Sequence, residues 1–277
     1  MLGGRSTERA GAFLLGALTL AGCLLTTTLD GLSGGSSGTT PDGTTPDGAT
    51  PDGATPDGGS LGDAGPFCES KPSTLLLCAD FDDGKFPAPF AADSRGTGAV
   101  VAATGDVRSP PFAALFTAPA AAKQTVGATL LRTLPSGAKS IVVELDIHLE
   151  EVGAGADYDL LTISAGSPEI GVQINEDATL SWDEDFSQPN DAGMGGVEVA
   201  LGRSLPSGWT HVKWSLDVNG AIAMAELFID GTSAGRRAFS SDVLSGAAPT
   251  LEIGDSSQGA LTKEWRLRID NITVDFR

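Results

Sequence analysis

The stretch SIVVELDIHLEE, Ser140–Glu151, alternates apolar and polar residues over almost its whole length. A β-strand points successive side chains to opposite faces. Ile141, Val143, Leu145, Ile147 and Leu149 therefore share one face, and Val142, Glu144, Asp146, His148 and Glu150 the other. Burying one aliphatic side chain is worth ~1.5–3 kcal/mol, so the aligned aliphatics decide which face turns inward. A slip of a single residue would expose all of them. The segment WTHVKWSLDV, Trp209–Val218, behaves alike: Val212, Trp214 and Leu216 turn in, while Trp209, His211, Lys213 and Asp217 turn out.

Working outward from these two strands, short apolar runs bounded by Gly, Pro, Asp and Ser recur from Phe67 onward. They predict strands near 74–82, 98–103, 112–118, 128–133, 139–150, 158–164, 169–175, 178–182, 196–202, 209–218, 221–229, 249–253 and 264–276. No segment sustains a helical period. Many short strands with frequent turn signals predict an all-β antiparallel jelly-roll β-sandwich filling residues 67–277.

A family resemblance rests on the order of motifs. GWTHVKWSLDVNG is followed by AELFIDG, then LEIGD, then the terminal LRIDNITVDF. This series resembles the C-terminal half of laminin-G-like, concanavalin A-like jelly rolls, and LLLCADFDDG resembles their first strand, which pairs beside the last. Members of that fold include sugar-binding modules, adhesion domains, glycosidases and polysaccharide lyases. Fold analogy alone assigns no activity.

The resemblance frames the chemistry of ELDIHLE. The laminarinase-like glycosidases of this fold carry E-x-D-x-E or E-x-D-x-x-E, with the first Glu as nucleophile and the last as acid/base. Glu144 and Asp146 match the first two positions, but His148 or Leu149 stands where the second Glu belongs. Glu150 comes too late: at ~3.3 Å per residue its backbone lies about 20 Å from that of Glu144. A retaining pair needs carboxyls ~5–5.5 Å apart. No Trp or Tyr adjoins the stretch in sequence. If the chain is an enzyme, Glu144, Asp146, His148 and His211 are the candidate catalytic residues, with Lys213 beside His211 as the neutraliser a lyase would need. The plainer reading is the solvated face of a strand.

The resemblance also implies a structural calcium, held between an acid near the first strand and an Asp on the last. Asp80, Asp82, Asp83 and Asp270 are the candidate ligands. The alternative makes Asp82-Asp83-Gly84 a turn and Asp270-Asn271 a strand-end hydrogen bonder. A second acidic segment, WDEDFSQPNDAGMGG, reads as a polar loop; its Trp182 with Asp183 and Asp185 forms a candidate glycan-contact rim.

The N-terminal segment reads as a targeting signal. Arg5 and Arg9 precede the apolar AGAFLLGALTLAGC. Leu20-Ala21-Gly22-Cys23 resembles the bacterial lipobox, which implies removal of residues 1–22, acylation of Cys23 and membrane attachment through the acyl chains. Residues 23–66 hold four Thr-Pro-Asp-Gly units and nothing to bury, which predicts a disordered linker. Leu24 in place of Asp points to the outer membrane of a cell envelope, without fixing which side the domain faces. Cys68 and Cys78, an even pair in an exported chain, predict a disulfide.

A formal charge of −19 on 277 residues argues against nucleic-acid partners, because phosphate backbones repel such a chain. Together these features predict an envelope lipoprotein displaying a non-catalytic recognition domain for a glycan or another envelope protein. A polysaccharide-active glycosidase or lyase, and a purely structural lipoprotein, are the alternatives.

Overall fold

The computed structural model describes residues 67–121, 126–166, 168–185, 196–244, 248–254, 256–257 and 260–277. The lipobox, Cys23, the Thr-Pro-Asp-Gly linker and the centre of the acidic segment, Asp191 included, lie outside the described residues.

Among the described residues, sixteen strands form the sandwich. They are β1 Leu77–Ala79, β2 Ala91–Arg95, β3 Ala99–Ala103, β4 Ala113–Ala118, β5 Val126–Thr133, β6 Ser140–Glu151, β7 Tyr158–Ser164 and β8 Glu169–Ile174 in the first half. The second half adds β9 Thr179–Asp185, β10 Gly196–Ser204, β11 Trp209–Asp217, β12 Met224–Ile229, β13 Thr232–Ala238, β14 Thr250–Ile253, β15 Ser256–Ser257 and β16 Trp265–Phe276. Two antiparallel sheets result. The first runs β13-β12-β11-β6-β16-β4-β3, with β1 also on β16; the second runs β10-β9-β8-β7-β14-β5-β15, with β2 also on β5.

The alternation in β6 is realised side chain by side chain. Ile141, Val143, Leu145 and Ile147 are at most 1% exposed. Val212, Trp214 and Leu216 of β11 are buried beside them, and Trp209, His211, Lys213 and Asp217 face out, as expected. Trp214, Trp265, Trp182, Tyr158 and Phe116 are the bulkiest fully buried side chains between the sheets. The first strand does pair beside the last, with Leu77 opposite Val274. Cys68 and Cys78 are joined, which ties the turn Phe67–Ser70 to β1.

Three strands lie where the sequence predicts none: β2, β13 and β15. The turn from β12 into β13 is the two-residue pair Asp230-Gly231, both at positive φ (48° and 74°). That is the twist-compatible hairpin geometry in which Gly and Asp are favoured. The expectation of a loop from Trp182 onward is corrected. Thr179–Asp185 is a strand, so Leu180, Trp182 and Glu184 turn into the core while Asp183 and Asp185 turn out. Glu184 tolerates this because Arg237 Nη2 donates to its Oε2 at 3.0 Å and the Ser240 backbone N–H to its Oε1 at 2.7 Å.

Candidate functional site

The outer face of the first sheet collects the polar side chains of β6, β11 and β16. Register places them: Glu144 lies opposite Lys213, Asp146 opposite His211, and His148 opposite Trp209. On the other flank of β6, Asp146 faces Asp270 and His148 faces Arg268. The candidate residues Glu144, Asp146, His148 and His211 thus stand on one surface, although His148 and His211 are not direct cross-strand partners.

Asp146 is the hub. His211 Nδ1 lies 3.1 Å from its Oδ1, and Asn271 Nδ2 donates to its Oδ2 at 2.8 Å. Arg108 Nε sits 3.7 Å from Oδ2. Burial alone would raise the Asp146 carboxyl, but the hydrogen bonds from His211 and Asn271 and the charges of His211 and Arg108 outweigh it and hold it below the usual range. An ionised carboxylate only accepts, so His211 carries its proton on Nδ1. That leaves Nε2 for other work; its nearest acid is Glu144 Oε2, 3.8 Å away. The same hydrogen bond to Asp146 raises the His211 pKa, with burial opposing and the charges of Asp146, Glu144 and Asp230 adding to it. Lys213 Nζ lies 3.1 Å from Glu144 Oε1, at the edge of an open cleft of about 350 Å³ that Thr273 and Asp275 continue.

Asn271 reaches Asp146 because β16 is bulged. The register shifts between Asp270 and Thr273, and Asn271 adopts φ 53°. Asn tolerates this left-handed conformation better than most residues. The extra residue keeps both Asp270 and Asn271 in reach of the outer-face network. Sequence reading treats Asp270 as a calcium ligand or, with Asn271, as a hydrogen-bonding strand end; Asn at the break of an otherwise alternating strand is the signal that marks the bulge.

A second group lies two residues along. Trp209 Nε1 donates to Asp106 Oδ1 at 2.9 Å, and its ring centroid is 5.7 Å from that of His148. Asp106 Oδ2 approaches His148 Nδ1 to 2.7 Å, off the line that a hydrogen bond requires. The expectation that no aromatic adjoins this strand is thereby corrected: the neighbour comes from β11, not from the flanking sequence. Further on, Glu150 accepts from both Arg266 and Arg268. It is wholly engaged there and does not reach Glu144 to complete a glycosidase pair. Tyr158 is 1% exposed and packs on Trp265, so it supplies no surface acid or base.

The four acids expected to hold calcium do not form a ligand set. Asp80 accepts from the backbone N–H groups of Cys68 (2.9 Å) and Asp82 (3.3 Å). Asp83 pairs with Lys85 at 2.8 Å. Asp82 accepts from Phe112 N–H at 3.2 Å. Asp270 is fully buried and accepts from Ser109 N–H at 2.9 Å, Arg108 N–H at 3.2 Å and Asn271 N–H at 2.8 Å. Burial pushes the Asp270 carboxyl up to about 7 against these backbone bonds, with the Asp82 charge adding to the rise. Among the described residues no three His, Cys, Asp or Glu side chains converge as a metal requires. Of the four, Asp82 and Asp270 tie the segment after β1 and strand β16 to the loop before β4.

The glycan rim expected around Trp182 is also corrected. Trp182 is 1% exposed, with its ring in the core. Asp183 and Asp185 lie on the outer face of the second sheet, in a shallow acidic depression with Asp159 and Glu169. Burial first, then the charges of Asp159, Asp185 and Asp183, push Glu169 up to about 7.

No family model and no curated protein sequence matches this chain. Solved structures do. An endo-β-1,4-glucuronan lyase from the fungus Trichoderma reesei superposes with a TM-score of 0.57 at 11% identity, covering 74% of this chain and 96% of that one. A glycoside hydrolase family 16 endo-glucanase from Bacteroides ovatus gives 0.51 at 12% identity over 72% and 100%. A cellulose-induced protein gives 0.50 at 11% identity over 72% and 96%. At these identities the likeness speaks for the fold alone: the described residues form an all-β antiparallel jelly-roll sandwich.

Proposed function

We propose that the outer face of the first sheet binds a polysaccharide and acts on it by β-elimination, with His211 as the base. The observation that carries this reading is the His211–Asp146 contact at 3.1 Å, backed by Asn271 at 2.8 Å. A carboxylate on Nδ1 fixes the imidazole tautomer and stabilises the imidazolium that forms, leaving Nε2 to take a proton. In a uronate chain Nε2 would take the proton at C5; the electron pair of that bond forms C4=C5, the C4–O bond to the departing sugar breaks, and the departing oxygen takes up a proton from solvent. Arg108, whose side chain is 55% exposed, and Lys213, 42% exposed, are the cations placed to face the uronate carboxylate. A hydrolase of the E-x-D-x-E type is disfavoured because Glu150, the acid that would have to complete the pattern, is held by Arg266 and Arg268. The fold shared with a glucuronan lyase supports the reading without deciding it.

The test is incubation of the mature chain with glucuronan and other uronate polysaccharides, reading the ultraviolet absorbance of the new double bond. His211→Ala should lower the rate by ~10²–10⁴-fold, the usual share of a general base. No product from any uronate polymer, or full activity in the variant, refutes elimination. A second reading, recognition without turnover, is favoured by one observation: both nearby cations are already paired, Lys213 with Glu144 and Arg108 with Asp146. Binding with no bond cleavage would establish it. We further propose that acylated Cys23 and the Thr-Pro-Asp-Gly linker tether the domain to the cell envelope, where polysaccharides are at hand.

A further inference from the structure

We propose that Trp209, held by Asp106, is a sugar-stacking platform immediately beside the His211 centre, and that the ligand is therefore a chain of pyranose rings rather than a single small anion. The inference rests on the groove reading above and adds the group that would position the chain.

Three observations support it. Trp209 begins β11 on the outer face and is only partly buried, whereas Trp182, Trp214 and Trp265 are buried in the core. Its indole N–H is already satisfied by Asp106 Oδ1 at 2.9 Å, across 103 residues of sequence. An indole pinned by its one donor loses little freedom when a ligand lands on it, so stacking does not have to pay for ordering the ring. Trp209 and His211 are on the same face, two residues apart, which at ~3.4 Å per residue puts their backbones about 7 Å apart. That is within the length of two pyranose rings. A chain stacked on Trp209 and running along the strand would therefore reach His211.

The surroundings match the chemistry of a sugar. A pyranose offers one face of C–H bonds to an aromatic ring and a rim of hydroxyls to polar groups. Here the rim holds the second oxygen of Asp106, an acceptor whose side chain is 51% exposed, and the His148 imidazole, 20% exposed. Arg268 lies behind His148, but Glu150 and the Thr104 carbonyl already occupy its guanidinium. The subsite therefore recognises ring faces and hydroxyls, and the centre beside it handles charge.

The experiment uses the mature chain and two probes, hexasaccharides of glucuronan and of mixed-linkage β-glucan, titrated by calorimetry and by tryptophan fluorescence. Wild type should bind at least one probe with saturable change in fluorescence. Trp209→Ala should weaken binding tenfold or more and abolish the fluorescence change, while Trp209→Phe, which keeps a smaller platform, loses less. His211→Ala should bind nearly as wild type does while losing turnover. Unaltered thermal unfolding of the Phe variant guards against misfolding of the Ala variant. If wild type binds and both Trp209 variants bind equally well, the platform is refuted while the groove stands. If wild type binds neither hexasaccharide, the groove and the platform fall together.

Discussion

Replacing Glu169 with Gln should make the protein more stable, by an amount that grows as pH rises from about 4.5 to about 7 and then levels off. Glu169 opens β8 on the outer face of the second sheet, facing Asp185 across β9. Burial and the charges of Asp159, Asp185, Asp183 and Glu252 push its carboxyl from 4.5 up to about 7. The folded chain therefore holds this proton at pH values where the unfolded chain has released it. Between 4.5 and 7 the native state binds more protons, so stability falls as pH rises through that window. At 1.36 kcal/mol per pKa unit the whole shift amounts to ~3 kcal/mol. The side chain keeps part of its surface in water, and screening lowers the figure to ~1–2 kcal/mol. Gln cannot ionise, so the variant should gain ~1–2 kcal/mol at pH 8 and little at pH 5, a rise of about 2–8 °C in Tm at pH 8 for a domain of this size. Denaturant melts at pH 5, 6, 7 and 8 on both proteins measure it. A wild type whose stability stays flat or climbs from pH 5 to 8, or a variant no more stable at pH 8, would refute the reasoning.

Two further outcomes follow from buried and half-buried ion pairs. Asp146→Asn removes the carboxylate that raises His211, so the imidazole should titrate at lower pH by NMR; the acid limb of any elimination rate should shift the same way, because the base works only when neutral. In the wild type the stability that this pair lends His211 is present at low pH and lost as pH rises through the folded His211 value. Glu184→Ala should cost ~3–5 kcal/mol in chemical denaturation, because Arg237 is left charged and unpaired between the sheets; Glu184→Leu with Arg237→Leu should recover much of the loss.

The parts of the fold that the sequence displayed are those whose stability comes from alternating aliphatics. In β6 and β11 the inward residues are Ile, Val, Leu and Trp, so both the strands and their faces are legible. In β2, AADSR, no residue is buried, and the strand exists because its backbone pairs with β5. Likewise β13, TSAGRRA, is an edge strand whose pairing with β12 is set by the Asp230-Gly231 turn. β9 misled for another reason: its inward series Leu180, Trp182, Glu184 includes an acid, and the Arg237 that neutralises it stands 53 residues away. Long-range partners also hid half of the site. His211 and Asp146 were visible as outward residues on neighbouring strands, but Asp106 under Trp209 and Arg108 beside Asp146 come from a loop before β4 that carries no periodic signal. The acids Asp80, Asp82, Asp83 and Asp270 read as ligands because only coordinates reveal that backbone N–H groups and Lys85 already claim most of them.

The place of β16 has a consequence for biosynthesis. This strand is last in order, yet it lies at the middle of its sheet, pairing with β6 on one side and with β1 and β4 on the other. Until the ribosome delivers it, β11-β6 and β4-β3 are separate ribbons with bare edges that invite wrong partners. Those edges stay unsealed until the twelve residues of β16 emerge. Shielding β6 during that interval would raise yield, and deletion of the whole of β16 would leave two half-sheets rather than a shortened domain.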